Sequence, residues 1–441
     1  MTPTARWGSA ATLRAAAPLL IALLVAAPAA GQTPNSWKAT SAANVNWSTA
    51  GNWTAGVIAN GQIAVFSNAV ASIDTSTNDL TNLNLAGITV NGNNAAASPL
   101  TIGGNALTVS ASGINMSAAA TDLTVNTSSL TVGAAQTWTV ASGRTLAIST
   151  LLLGSQNLTV AGTGTVRLNN LGTAGTVTAN GGTLVIGSGA FFIPVGAVTM
   201  NATSTLAGVG TVTPDTGTVA GNRVTIASGA TVAPGLGGVG TLTVGTNFFH
   251  GTAELDGGAK LAVELGSAVP RPAAGIADVN TNDRLNVTGI LQFATGTSNL
   301  AVAVSGAGQT FTAGQKYDYV IATGSDGLSG FNPAQVTVLP TNFGLPGTFT
   351  VQAWNTNNLL LTYTPVPEAG DVLGACAAAA GMGWWVRFWR RRWLAECGVS
   401  ADPGAARRTG GAVGATPRLR SGTTGPGNHE KLPTEFAFPP A

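Results

Sequence analysis

The fold is decided by residues 100–148, which read LTIGGNALTVSASGINMSAAATDLTVNTSSLTVGAAQTWTVASGRTLAI. This stretch repeats a unit in which an apolar, a polar and an apolar residue are followed by a few Gly, Ser, Thr, Asn or Ala residues. Examples are Leu123-Thr124-Val125, Leu130-Thr131-Val132, Trp138-Thr139-Val140 and Leu146-Ala147-Ile148. Alternation with a period of two indicates a strand, and the spacers are too short to hold a crossover helix. The regular recurrence predicts a solenoid, in which each unit forms one face of a coil and turns its apolar pair inward.

The length of one coil follows from Leu100, Leu123 and Leu146, which lie 23 residues apart with two further units between each pair. Three units per coil predict three faces. We therefore expect an all-β fold, a right-handed parallel β-helix. An antiparallel β-sandwich of short strands is the alternative, because apolar-polar alternation is common to both architectures.

The solenoid repeats occupy residues 100–246, and the segments on either side differ in character. Residues 32–99 are interpreted as an N-terminal cap that contains Trp37, Trp47 and Trp53, because an open terminal coil would expose strand edges. Trp47 and Trp53 are also the candidate ligand-binding residues, since aromatic rings can form a platform for sugars. In residues 247–365 the strands become longer and more widely spaced, which predicts a C-terminal β domain, an antiparallel cap.

Charged residues are scarce in the body of the chain, residues 33–365. This segment holds 3 Lys and 5 Arg against 9 Asp and 2 Glu, a net charge of −3, so it offers no basic patch for nucleic acid. The charges within residues 100–246 are isolated, which argues against the paired carboxylates of glycoside hydrolysis. His250 is the single histidine of the body, so neither a His-based triad nor a multi-His metal site can be assembled. We therefore predict no catalytic residue, no bound metal and no cofactor.

One run, Asp278-Val279-Asn280-Thr281-Asn282-Asp283, places oxygen-bearing side chains at alternate positions, as at the start of a calcium loop. Gly289 stands where such a loop needs its bidentate Glu. We interpret the run as a solvated Asx turn.

Several stretches carry a family resemblance. Residues 158–168, LTVAGTGTVRL, and 176–187, TVTANGGTLVIG, resemble the autotransporter-associated β-strand repeat, and residues 229–235 with 240–244 resemble a partial copy. The opening NWSTAGNW of residues 46–53 is similar to the start of the same proteins, and residues 283–289 are similar to a run in their C-terminal cap. The resemblance implies an exported bacterial surface protein.

The N-terminal segment, residues 1–31, has the pattern of a secretory signal peptide. Arg6 and Arg14 precede the apolar core of residues 15–27, which leads into the small residues of a cleavage site. We therefore expect export.

Residues 366–393 combine Val366-Pro367-Glu368, an apolar run over residues 372–386 and a basic cluster, and they resemble the PEP-CTERM sorting signal. That resemblance implies processing by an exosortase-like enzyme and a transient or permanent anchor in the inner membrane. The candidate sorting residues are Val366, Pro367, Glu368, Arg387, Arg390, Arg391 and Arg392. The apolar run predicts a C-terminal transmembrane helix, with a buried core helix as the alternative. Residues 394–441 are interpreted as a disordered tail.

These observations favour a non-enzymatic exported protein of the cell envelope, the cell surface or the extracellular matrix, with a structural or adhesive role. Extracellular polysaccharide is the expected partner of an adhesive surface. The alternative is a carbohydrate-binding module or a polysaccharide-active β-helix enzyme. An autotransporter passenger with its own pore is disfavoured, because no run of ten-residue alternating strands precedes the C-terminus.

Overall fold

The structure, a computed structural model, describes residues 32–39, 44–67, 75–92, 99–172, 175–188, 196–214, 223–235, 237–245, 251–294, 299–306 and 308–366, with 382, 384–386, 388, 389 and 392. Residues 1–31 and 394–441, the predicted signal peptide and tail, lie outside the described residues. The chain divides into two compact units, Met1–Val372 and Leu373–Ala441. Within the described part the first unit is all-β with long parallel sheets, so the predicted all-β solenoid class is confirmed.

The strands of the first half are β1 (Pro34–Ser36), β2 (Ile63–Phe66), β3 (Thr75–Asn78), β4 (Leu83–Asn91), β5 (Leu100–Gly104), β6 (Leu107–Ala118), β7 (Leu123–Thr127), β8 (Leu130–Val132), β9 (Gln136–Val140), β10 (Thr145–Ile148), β11 (Leu151–Leu152), β12 (Leu158–Gly162), β13 (Thr165–Leu168), β14 (Leu171–Gly172), β15 (Val177–Ala179) and β16 (Thr183–Ile186). Those of the second half are β17 (Val198–Met200), β18 (Thr205–Gly208), β19 (Thr211–Val212), β20 (Val224–Ile226), β21 (Thr231–Pro234), β22 (Thr241–Val244), β23 (Ala253–Leu255), β24 (Lys260–Glu264), β25 (Arg284–Val287), β26 (Ile290–Phe293), β27 (Leu300–Ser305), β28 (Tyr317–Gly324), β29 (Gly327–Ser329), β30 (Val336–Thr341), β31 (Gly347–Trp354) and β32 (Asn358–Pro365). Two single-turn 3-10 helices lie at Ala50–Asn52 and Pro333–Gln335.

The strands stack into three ladders that the chain visits in turn. The first runs β1-β2-β4-β6-β9-β12-β15-β17-β20-β23-β26-β29, and the second runs β3-β5-β7-β10-β13-β16-β18-β21-β24-β27-β30. The third face is formed by β8, β11 and β14 in the early coils, and by β19, β22, β25 and β28 in the later ones. Coils that are described throughout therefore have three faces, as the spacing of the repeat units predicts.

The predicted coil register is confirmed at the leucines that suggested it. Leu100 pairs with Leu123, and Leu123 pairs with Leu146, in parallel ladders. All three side chains are buried. Because the side-chain period of a strand is two, this register turns the apolar residues of every unit to the same side and stacks them into one continuous core.

Glycine turns a corner within β6, where two repeat units share one strand. Leu107 pairs with Leu130 on one face, and Ile114 pairs with Trp138 on the next. Between them Gly113 has a φ of 62°, and a Cβ added there would clash with the carbonyl oxygen of Thr137 in the next coil. The corner therefore needs glycine, both for its positive φ and for the close approach of two backbones.

The parallel ladders extend beyond residues 100–246 on both sides. β2 pairs with β4 and β4 with β6 before this range, and β24 pairs with β27 and β27 with β30 after it. The antiparallel cap predicted for residues 247–365 is correct only for β28, β32 and β31, which pair in antiparallel fashion. The wide spacing of the strands after residue 247 comes from long loops between consecutive faces, such as residues 266–283, which sequence spacing alone does not distinguish from reversals of the chain.

In the second unit, the described residues Met382, Trp384–Val386, Phe388, Trp389 and Arg392 are helical. Among the described residues, no helix has both the length and the apolar composition needed to span a bilayer. Most of the apolar run over residues 372–386 lies outside the described part of the chain. The predicted transmembrane helix therefore has no support from the described residues.

Candidate functional site

The two candidate sugar-binding tryptophans lie inside the N-terminal end of the coil. Trp47 and Trp53 are 0% and 1% exposed, and their rings meet edge to face at 5.5 Å. Trp53 Nε1–H donates to the carbonyl oxygen of Trp47 at 3.0 Å, and Trp37 meets Trp53 edge to face at 4.9 Å. A sugar platform needs an exposed ring face, which neither residue offers. These rings instead close the end of the core, together with Phe66.

The predicted sorting residues are described only in part. Val366 follows β32, is 41% exposed, and donates its backbone N–H to Pro346 O at 2.9 Å. Pro367, Glu368, Arg387, Arg390 and Arg391 lie outside the described residues. In the second unit, the guanidinium carbon of Arg392 lies 6.0 Å from the ring centroid of Trp389, within the range of a cation–π contact.

The run Asp278–Asp283 is held by the chain itself. Asp278 forms an ion pair with Arg284 at 2.7 Å. The Asn280 side-chain amide donates to the carbonyl oxygens of Val269 and Asp318, at 2.9 and 3.0 Å, and its oxygen accepts from the Val269 N–H at 2.6 Å. In the described part of the chain, no group of three or more His, Cys, Asp or Glu side chains is placed to hold a metal ion. The run therefore serves to satisfy buried backbone groups of the neighbouring loop and strand.

Asp283 is the most perturbed carboxylate of this run. It is 6% exposed, and its two oxygens accept the backbone N–H groups of Gly240 at 2.8 Å and Glu264 at 3.0 Å. Burial raises the pKa of Asp283 from 3.8 to about 6; the two N–H groups act in the opposite direction, and the nearby charge of Glu264 adds to the rise. Its carboxylate joins three segments of backbone that are distant in sequence.

An ion pair between a partly exposed arginine and a buried aspartate connects the same loop to the last strands. Asp318 is fully buried on β28 and accepts two hydrogen bonds from the guanidinium of Arg271. Thr362 on β32 donates its hydroxyl to Asp318 at 2.7 Å. Sequence reasoning missed this pair because the partners lie 47 positions apart, and neither belongs to a repeat unit.

The remaining ion pairs that the structure describes are spread along the coil. Arg144 lies 3.8 Å from Asp122, and Arg223 lies 2.7 Å from Glu254. A second carboxylate, Asp256, interacts with both partners of the Arg223–Glu254 pair, and burial together with the charge of Glu254 raises its pKa. The described residues include no histidine that could complete a catalytic constellation at either pair.

Outward-facing threonines stack in register on two ladders. On the second ladder the column is Thr145, Thr165, Thr183, Thr205 and Thr231, with Arg167 beside it. The other such surface is the outward side of the first ladder. Five threonines in consecutive coils stack there in direct register: Thr137, Thr159, Thr178, Thr199 and Thr225. We call this column the threonine face. Thr137 is exposed and the other four are partly exposed. Because strands in a ladder are ~4.8 Å apart, the hydroxyl and methyl groups repeat at that interval.

A second column lies two residues further along the same strands and corners. It contains Thr139, Ala161, Asn180, Asn201 and Ala227. The Asn201 amide donates to the Asn180 side-chain oxygen at 2.6 Å, which aligns the two side chains along the coil axis. Neither column carries a charge until Glu254 follows Thr225 in the next coil. The result is a narrow, uncharged strip of short hydroxyl, methyl and amide groups, which suits an extended uncharged ligand with many hydroxyls.

Comparison of the sequence with known protein families and with curated proteins finds no match.

Proposed function

We propose that this chain is a non-enzymatic, exported adhesive protein, whose threonine face binds a neutral polysaccharide. The observation that carries the proposal is the uncharged strip, in which hydroxyl groups repeat over five consecutive coils. The side chains are short and partly held by their neighbours in the ladder, so little rotational freedom is lost on binding.

A neutral polysaccharide fits this surface better than other extended polymers. Nucleic acid and acidic glycans need cationic side chains, whereas the strip has none between Thr137 and Thr225. Threonine offers both a donor and an acceptor to sugar hydroxyls, and its methyl group can contact the apolar face of a sugar ring. Each contact is weak, but contacts along one rigid coil act together on one polymer chain.

We further propose that the coil is right-handed, since crossovers between parallel strands almost always are.

The resemblance of residues 366–393 to a PEP-CTERM signal supports sorting to the envelope or the cell surface, with an exosortase-like enzyme and the inner membrane as partners. Intact-mass measurement of the mature protein from cell fractions tests this part. A mature protein that starts at residue 1 or retains residues 394–441 would contradict the proposed processing.

The adhesive role is tested by co-sedimentation with insoluble neutral polysaccharides. The variant is the triple change Thr159→Val, Thr178→Val and Thr199→Val, which removes three hydroxyls and keeps the shape of the side chains. We expect binding of the wild-type protein and at least about a tenfold weaker affinity for the variant.

A matched control makes the same triple change on the second ladder, at Thr165, Thr183 and Thr231, which are also partly exposed and stacked in register with Thr205. This control should bind like the wild-type protein. Equal loss in both variants, or no binding by the wild-type protein, would refute the assignment of the threonine face. Cleavage of the glycan during the assay would instead favour the polysaccharide-active enzyme.

A further inference from the structure

Among the residues that the structure describes, the C-terminal end of the coil finishes in an open strand edge. β31 runs for 8 residues, Gly347–Trp354, and in the described part of the chain it pairs only with β32. Its other edge lies beyond the last coil. Thr348, Thr350 and Gln352 are exposed, which is consistent with a strand that nothing covers.

The direction of the backbone groups along this edge follows from one hydrogen bond. Val366 donates its N–H to Pro346 O at 2.9 Å, one step before the Gly347–Pro365 pair. Hydrogen-bonded and non-bonded pairs alternate in an antiparallel ladder, so Thr348, Thr350 and Gln352 direct their backbone groups to β32. Four residues then direct both N–H and C=O to the open edge: Gly347, Phe349, Val351 and Ala353.

Nothing in the sequence of β31 protects this edge. Its residues, GTFTVQAW, include no charge and no proline, and its pairing with β32 contains no bulge. Natural sheets ordinarily protect a free edge with at least one of these devices. The N-terminal end differs, because β1 has only 3 residues, begins with Pro34, and is followed by the buried tryptophan cluster.

A groove of about 620 Å³ lies beside the edge, lined by apolar side chains and by Thr350 and Gln352. Val336 and Val338 from β30 line one side, and Phe349 and Val351 from β31 line the other. These positions continue the buried columns of the coil, since Val338 pairs with Val302 and Val351 pairs with Leu361. The groove is therefore the open end of the core, and the side chains that fit it are those of a further strand layer.

We propose that β31 pairs in antiparallel fashion with β31 of a second copy of this chain, joining two coils end to end across a two-fold axis. An axis at Thr350 places Phe349 opposite Val351 and Gly347 opposite Ala353, so all four edge residues of each copy meet edge residues of the other. The same axis brings Thr350 next to its own copy and Thr348 next to Gln352 of the other chain, so like charges introduced at these positions would repel. β31 has no charge, so this penalty is absent. The proposal does not depend on the adhesive role.

Self-association is tested with the full-length chain, by measuring its oligomeric state in analytical ultracentrifugation over a dilution series. The edge variant combines Thr348→Lys and Gln352→Lys, which place lysines on the exposed side of β31. The control combines Asn115→Lys and Asn126→Lys, exposed positions in β6 and β7 with the same gain of charge. We expect the wild-type and control proteins to form dimers. For the edge variant, the protein concentration at which half of the dimer dissociates should be at least about tenfold higher.

Hydrogen exchange supplies the second measurement. The amides of Phe349, Val351 and Ala353 should be protected in the wild-type dimer and exchange rapidly in the edge variant, whose circular dichroism should be unchanged. Monomeric wild-type protein, dimers of equal strength in all three proteins, or rapid exchange of these amides within a dimer would each overturn the proposal. Association that appears only with a different protein strand added would overturn it as well.

Discussion

The carboxylate of Asp283 should make the stability of the coil depend on pH, in the direction opposite to most acidic residues. The perturbation is Asp283→Asn, which removes the charge and leaves a side chain of similar size. Burial raises the pKa of Asp283 to about 6 in the folded protein, from an ordinary value of 3.8. The folded state therefore holds this proton more tightly than the unfolded state does, and its contribution is fully present below pH 3.8 and lost as the pH rises through about 6.

The magnitude follows from the two pKa values. Their difference, at ~1.4 kcal/mol per pH unit, gives an upper bound of ~3 kcal/mol in the free energy of unfolding between pH 4 and pH 7. The amide that replaces the carboxylate cannot titrate, so the variant loses this contribution at every pH. The free energy of unfolding of the wild-type protein should therefore exceed that of the variant by the largest amount at pH 4. This difference should decrease by up to ~3 kcal/mol toward pH 7.

The assay is urea unfolding of the wild-type protein and each variant at pH 3, 4, 5, 6 and 7, with the difference between them taken at each pH so that other titrating groups cancel. Asp79→Asn supplies a control of opposite sign. Burial raises the pKa of Asp79, but hydrogen bonds from Ser48 more than offset this, and the net effect lowers it. The advantage of the wild-type protein over this second variant should therefore grow from pH 3 to pH 5. A difference for Asp283→Asn that is flat with pH, or that grows with pH, would refute the reasoning.

Two further predictions concern the construction of the coil. Trp53→Ala, at a ring that is 1% exposed, should lower the free energy of unfolding by ~3–5 kcal/mol and expose the N-terminal end of the core, as measured by urea unfolding and proteolysis near residues 44–67. Trp53→Phe should recover most of the loss, and unchanged stability of Trp53→Ala would contradict its role in closing the core. Gly113→Ala should cost more than ~1 kcal/mol, because it adds a Cβ at a φ of 62° against the Thr137 carbonyl, whereas Gly103→Ala, where a Cβ meets no atom within 4 Å, serves as the control. Equal stability of the two glycine variants would contradict the described corner.

The register of the coil could be predicted because the apolar pattern within each repeat unit determines it. Leu100, Leu123 and Leu146 each begin a unit whose inward residues are apolar, and a shift of one residue would turn the whole set outward. The threonine face was harder to predict from the sequence, although its threonines belong to the same repeat units. The coils there vary in length, as the pairs Trp138–Val160 and Val160–Ala179 show, so a fixed period does not reveal which threonines stack.

Two other features could not be read from the sequence for physical reasons. The pair Arg271–Asp318 forms between a loop and a distant strand, and the approach of Arg271 to the buried Asp318 depends on how residues 266–283 fold back. Strand direction after residue 247 was also ambiguous, because alternation is the same in parallel and antiparallel strands, and only the path of the loops separates them. Trp47 and Trp53 illustrate a third limit, since aromatic residues suit both a sealed core and a sugar platform until their exposure is known.

At each end of the coil the terminal strands have an unpaired edge and the core is open, and the two ends differ in how these are covered. At the N-terminal end, residues 44–62 cross the first coil: Trp37 bridges to Trp53 and Asn46 to Thr77, so tryptophans cover the core. At the C-terminal end the chain reverses, and β32 covers the edge of β28, but β31 then becomes the new edge. An antiparallel reversal therefore moves an open edge without removing it. Selection for solubility alone would place a charge on that edge, as a single lysine there would suffice. An uncharged edge of 8 residues beside an open, uncharged groove is instead the composition expected of a surface that is covered by another strand when the protein is assembled.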